Sequence, residues 1–328
     1  MEGHRTVLRL LVVAGCAWLG GSGCAWLTPP PRSSLPQALP PTPTLDQVIQ
    51  TVNSNGARFH SFSTDAATLT VPGAPALRST SVAFERPRRL RLRAGTGITG
   101  TELDLGSNDE LFWIWVKSAP PLFYCRHDQF AASPARRVLP VDLEWLIEAL
   151  GVVQLDPTLA HQGPIPVPGG RLEIRTPRQG VDGTTTKITI VDAMTGVVVQ
   201  QEAYDGQGQL IARASAGQHR RDPLSGLVMP GIVDIECPRA QFSMRLDLGN
   251  VSINQPPGNA AELWAMPTFR DWPSVDLGDP NAPLAPVAST AAPPRAAPPR
   301  AAPPVASPLA PTAASPLVPS RVSPPRPA

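Results

Sequence analysis

Lysine is almost missing from this chain: Lys117 and Lys187 are the only two, and arginine supplies the rest of the positive charge. The formal net charge is only +2. That balance excludes an electrostatically driven nucleic-acid binder, which must neutralise many phosphates with a basic surface. Long hydrophobic runs are scarce as well. The apolar stretch 10–19 falls short of the roughly 20 residues a lasting bilayer-spanning helix needs. Catalytic signatures are missing too: the chain has no H-E-x-x-H, no G-x-S-x-G, no phosphate loop and no dinucleotide fingerprint. His60, His127, His161 and His219 are scattered among polar loops and strand ends. Asp104, Asp109 and Glu110 gather around a hairpin turn, where carboxylates serve turn geometry and solubility. Neither an enzyme nor a cofactor is expected.

What the chain does have begins with an address. Arg5 and Arg9 precede the apolar stretch, and small residues follow it, the three-part form of an export signal. A cysteine directly after small residues resembles a bacterial lipoprotein signal, whose thiol is acylated before cleavage. Two cysteines compete. "VAGC" at Cys16 is the better four-residue match but leaves a short apolar region, whereas "GSGC" at Cys24 is a weaker match behind a full-length one. Cys24 is preferred and Cys16 is the alternative; ordinary secretion with full removal of the leader is the plainer reading. Ala25 follows Cys24, and the lipoprotein resemblance implies an outer-membrane destination facing the periplasm, with the membrane as a partner through the N-terminal lipid.

That leaves Cys125 and Cys237 for the folded part. In an oxidising compartment they form either a disulfide, worth roughly a few kcal/mol for so long a loop, or two buried free thiols, and the spacing leaves both open. Cys125 and His127 suggest metal ligands, but no second close pair accompanies them, so no metal is expected.

The 42 prolines concentrate in a spacer before residue 44 and in a tail with an AAPPR-type repeat. The tail has no large apolar residues at core-forming spacing, so it is expected to be disordered with polyproline II character, a semi-rigid spacer and a ligand for a protein partner's aromatic groove. The chain therefore divides into a signal (1–23), a proline-rich spacer (24–43), one folded domain (44–275) and the tail (276–328).

Within the domain, Thr44 and Gln47 have the spacing of a capping box ahead of an apolar stripe of Leu45, Val48, Ile49 and Val52. A second helix starts at Asp142 as N-cap, with Val141 placed to staple against Leu146, a stripe of Leu143, Leu146, Ile147 and Leu150, and Gly151 as its stop. The rest reads as about eleven short strands in sequential hairpins. A sheet that large must curl or close. The expected fold is mainly β with a few helices (α+β): one large curled antiparallel sheet, an unclosed β-barrel, with a lid of short helices.

Two stretches carry the functional reading. In "RRLRLRA", arginines 89, 91 and 93 share one face and Leu90 and Leu92 the other. The arginine face is expected to be solvated, with contact to anionic headgroups as the alternative. In "ELFWIWV", taking "GSND" (106–109) as an even-length loop puts Leu103 opposite Phe112 and Thr101 opposite Ile114, facing the interior of the curl. Trp113 and Trp115 then point the other way, under another segment; an odd-length loop would exchange the two faces. Leu90, Leu92, Leu103, Phe112 and Ile114 are the candidate lining of an apolar cavity.

The capped first helix, the meander, the mid-chain helix and the segments "YDGQGQL" and "VMPGIVDIE…SMRLDLGNVSINQPP" together resemble the LolA/LolB-type lipoprotein localisation factors over roughly residues 44–270. The resemblance implies an apolar concavity that accepts an acyl chain of a lipid or lipoprotein and carries no catalytic residues. The competing expectation is a structural or scaffolding envelope lipoprotein whose core is filled by its own side chains and whose tail meets a protein partner.

Overall fold

The computed structural model describes residues 35–133, 141–180, 183–255, 258–269 and 272–282. Cys16, Cys24 and the proline-rich tail from 283 onward lie outside the described residues. Helix α1 (Leu45–Gly56) leads into six strands: β1 (Ser61–Thr70), β2 (Leu77–Glu85), β3 (Arg89–Thr96), β4 (Gly100–Ser107), β5 (Leu111–Val116) and β6 (Ala119–Arg126). A single turn, α2 (His127–Phe130), precedes α3 (Leu143–Ala149). Then come β7 (Gln162–Val167), β8 (Arg171–Gly180), β9 (Gly183–Asp192), β10 (Val198–Tyr204) and β11 (Leu210–Gly217). A small pair, β12 (Arg220–Arg221) and β13 (Val228–Met229), stands apart from the main sheet, which continues with β14 (Ile232–Cys237), β15 (Phe242–Asp247) and β16 (Ser252–Ile253). The chain closes with α4 (Ala260–Leu263) and β17 (Ser274–Asp276).

Fifteen strands form one sheet, β17-β6-β5-β4-β3-β2-β1-β15-β14-β11-β10-β9-β8-β7, with β16 also on β1. The order is an open path with β17 and β7 at its ends, so the sheet curls without closing, as expected. All pairs are antiparallel except β17, which adds to β6 in parallel. β6 and β7 carry prolines, which disguise both strands in the sequence. Pro164 and Pro166 are tolerated because β7 is an edge strand, and Pro120 and Pro121 precede the stretch of β6, residues 122–124, on which β17 pairs.

Both helices begin where local chemistry places them. The Thr44 side chain accepts from the Gln47 amide and the Gln47 side chain returns the bond, a complete capping box. Asp142 accepts from the Trp145 amide, and Gly151, at φ +102°, ends α3 in a conformation that favours glycine. Both helices lie on one face of the sheet. The registers place Leu90, Leu92, Val82, Phe84, Leu69, Leu246, Ile235, Ala214, Val191 and Ile174 on this same concave side. α3 packs Ile147 and Leu150 against Phe62, Val82, Leu90 and Leu92, and Trp145 and Ala149 against Ala212, Ala214 and Ile235. α1 packs Val48 and Val52 against Leu172, Ile174 and Val191. Leu39, in the expected spacer, and Leu277, in the expected tail, are also buried, so the packed region extends past 44 and 275 at both ends.

Candidate functional site on the concave face

The site grows from the alternation of β4 and β5. Ser107 pairs with Phe112, Leu105 with Ile114 and Leu103 with Val116. The expected pairing of Leu103 with Phe112 is therefore displaced along β5 by four residues. The reason is Asn108, whose side-chain oxygen accepts from the amides of Glu110 and Leu111 and moves the turn to 108–111. A displacement by an even number leaves every side chain on its face. Leu103, Leu105, Phe112, Ile114 and Val116 line the concave side, and Phe123 of β6 continues the row beside Ile114.

These six side chains are neither buried nor fully exposed. They form an apolar strip at the β4–β6 end, with Leu103 and Leu105 packed against the core cluster beneath α3 and Phe112 and Phe123 against Cys125 and Leu277. Leu90 and Leu92, next along the same face, are different: they are 1% and 5% exposed and packed beneath α3 with Leu227 and Met229. Of the five candidate lining residues, then, Leu103, Phe112 and Ile114 sit in the half-open strip, while Leu90 and Leu92 belong to a filled core. Leu105, Val116 and Phe123 are strip residues the sequence reading did not select. The first two could have been found by extending the period-two alternation through 103 and 114. At the strip's far end, Phe112 meets the edge of Phe130 at 5.1 Å and pairs with Cys125.

The concave face changes character across α3. On β8 to β10 it carries Thr176, Lys187, Thr189 and Gln201, all buried. Lys187 is paired with Glu148 of α3, whose carboxyl burial pushes upward in pKa against the pull of that ammonium. A cavity of about 200 Å³ opens here between α1, α3, β10 and β11, and none of the five candidate residues lines it.

The opposite face of β3–β5 closes over its middle arginine, which corrects the expectation of a solvated row at Arg91. Arg93 is exposed, but Arg91 is 1% exposed. Its guanidinium donates to the Leu263 and Ala265 carbonyls at 2.9 and 2.6 Å and to Asp104 at 2.6 Å, and lies 4.9 Å from the Trp113 ring centre. Burial pushes its pKa down, against the hydrogen bond to Asp104 that holds it up. The Trp113 indole donates to the other Asp104 oxygen at 3.1 Å. Trp115 stacks on Phe269 at 4.1 Å and meets Trp272 edge-on. The covering segment that the two indoles called for is thus the C-terminal stretch around α4, laid across the outside.

Of the two readings open for the domain's cysteines, the structure has the second. Cys125 and Cys237 are free, buried thiols. They lie on β6 and β14, with six strands between them, and in separate clusters. Burial raises each to a pKa of about 11. His127 bonds to Ser107 and to the Asn108 carbonyl, and His161 to Thr176 and the Asp156 carbonyl. Among the described residues no three metal-ligating side chains gather.

Solved structures with related folds accompany this geometry. The chain is similar in fold to proteins of the LolA superfamily. One from Nitrosomonas europaea is 12% identical over 69% of this chain and 99% of its own, with a TM-score of 0.42. A domain described as an outer membrane lipoprotein-sorting protein, from Vibrio parahaemolyticus, is 8% identical over 66% of this chain and 94% of its own, with a TM-score of 0.47. A DUF1329 family protein from Desulfovibrio piger is 12% identical over 68% and 100%, with a TM-score of 0.45. No protein-family model matches the sequence, and no curated protein does. None of these likenesses places a ligand, so the chemistry rests on this chain's own side chains.

Proposed function

We propose that the strip of Leu103, Leu105, Phe112, Ile114, Val116 and Phe123 holds an acyl chain of a lipid or lipoprotein, and that the protein does so while tethered to the outer membrane, facing the periplasm, through an acylated Cys24, or Cys16 in its place. The observation that carries this reading is the position of the strip: six large apolar side chains stand half-open in one row on the concave side, continuous with a dry core. A row of aliphatic and aromatic side chains needs no specific polar partner to retain a hydrocarbon chain, only bulk and the exclusion of water, and each methylene transferred from water contributes about 0.8 kcal/mol. No helix among the described residues is long and apolar enough to cross a membrane.

A second reading has its own observation. The centre of the concave face is filled by Ile147, Leu150, Leu227 and Met229, as a scaffolding lipoprotein with a self-filled core requires. The two readings part on one titration. Delipidated protein mixed with a fluorescent fatty acid should show saturable uptake, and Leu103→Asp or Phe112→Asp should weaken it; uptake that neither substitution alters removes the strip from the account and leaves the scaffold.

A further inference from the structure

We propose a second binding site, separate from the strip: the cavity of about 200 Å³ between α1, α3, β10 and β11 binds a small hydroxylated phosphate anion of the glycerol-phosphate class. Its volume decides the size of the occupant, since small-molecule pockets usually measure about 300–1,000 Å³. A whole lipid does not fit, and a headgroup does.

The mouth supplies the charge. Arg58 and Arg221 both line it, and each guanidinium is braced by one backbone carbonyl of the 222–226 turn: Arg58 donates to Ser225 at 2.5 Å and Arg221 to Gly226 at 3.2 Å. Each keeps further N–H groups beyond that bond. Neither forms an ion pair with a carboxylate among the described residues, in contrast to Arg89, Arg91, Arg213, Arg239 and Arg245. Two positioned guanidiniums without acidic partners match the fork geometry that phosphate oxygens accept. The carboxylate that lines the cavity, Glu148, is already matched by Lys187.

The floor supplies the hydroxyl preference. Gln201 is 3% exposed, lines the cavity, and its side-chain oxygen has no hydrogen-bond partner. Thr189, its cross-strand neighbour, is also buried with an unpartnered hydroxyl. A buried polar atom left unmet is destabilising, so a bound hydroxyl that donates to the Gln201 oxygen relieves that penalty.

The test is calorimetry on the full chain with sn-glycerol 3-phosphate and, separately, inorganic phosphate. The expected result is saturable binding of glycerol 3-phosphate, tighter than phosphate, weakened roughly ten- to a hundredfold in Arg58→Gln/Arg221→Gln. Both arginines are exposed, so the variant should melt as the wild type does. Gln201→Leu should erase the preference for glycerol 3-phosphate over phosphate. Vesicles of phosphatidylglycerol that compete with glycerol 3-phosphate, when phosphatidylcholine vesicles do not, identify a lipid headgroup as the source; competition by neither identifies a soluble ester, and the site stands in both cases. No saturable binding, or binding unchanged in the double arginine variant, overturns it. Because the strip plays no part in this measurement, its outcome is independent of fatty-acid uptake.

Discussion

Strands β3 to β5 have two faces built from neighbouring residues, and they solve the problem of burial in opposite ways. The concave face is apolar, with Leu90 and Leu92 covered by α3 and Leu103, Leu105 and Ile114 left half-open. The outer face carries a charge pair, Arg91 and Asp104, yet it is the more completely sealed, by residues more than 170 positions away. Burial therefore cannot be read from hydrophobicity alone: the polar face closes over Arg91 and Asp104 because their charges are matched, and the apolar strip, packed at one end against Phe130 and Leu277, keeps partial access to water along its length.

The comparison breaks most severely at Asp104. Asp104→Ala leaves the Arg91 guanidinium buried without its carboxylate and takes the acceptor from Trp113, and removing one partner of a buried pair costs about 3–5 kcal/mol. Denaturant unfolding should show that loss. Gly106→Ala attacks the same face by crowding: an added Cβ would stand 2.1 Å from the Trp113 ring, and overpacking of this kind costs roughly 1–3 kcal/mol. On the concave face, Ile114→Asp should cost about 1–2 kcal/mol, since the side chain is only partly buried and the new carboxylate keeps some access to water. Fatty-acid uptake should fall in that variant and remain intact in Gly106→Ala at a temperature where both are folded.

The smallest effect concerns pH. Both thiols have folded pKa values raised to about 11, above the ordinary value of 9.0. A raised folded pKa favours the folded state fully below the unfolded value, and the contribution is lost as pH climbs through the folded one. Melting temperature should thus drift down between about pH 9 and 11, and a Cys125→Ala/Cys237→Ala variant should flatten the drift. At pH 8 neither thiol should react with iodoacetamide until the protein is unfolded.

Much of this architecture was legible where its cause is local. The Thr44–Gln47 box and the Asp142 cap depend on residues three apart, and both helices start where those residues say. The side of each β4 and β5 residue was legible because alternation survives any even displacement, even though Asn108 moved the register itself. The β6 and β7 strands were hidden by prolines that only their places at or near the sheet edges excuse. What could not be read was contact at a distance. Nothing in "RRLRLRA" reveals that the middle arginine meets the 263 and 265 carbonyls, or that Leu90 and Leu92 are fully buried in the core beneath α3 while Leu103 and Ile114 keep partial access to water. The Arg58 and Arg221 pair was equally invisible, because α1's end and the 222–226 turn meet only in the folded chain.

The most direct trial of the central claim is photolabelling. Delipidated full-length protein, irradiated with a fatty acid carrying a terminal diazirine and digested, should carry the label on peptides spanning 103–105, 112–116 and 123, with excess unlabelled fatty acid suppressing it. Label confined to the outer-face segment around Phe269 and Trp272, or spread over the surface without suppression, would contradict an acyl site on the concave face.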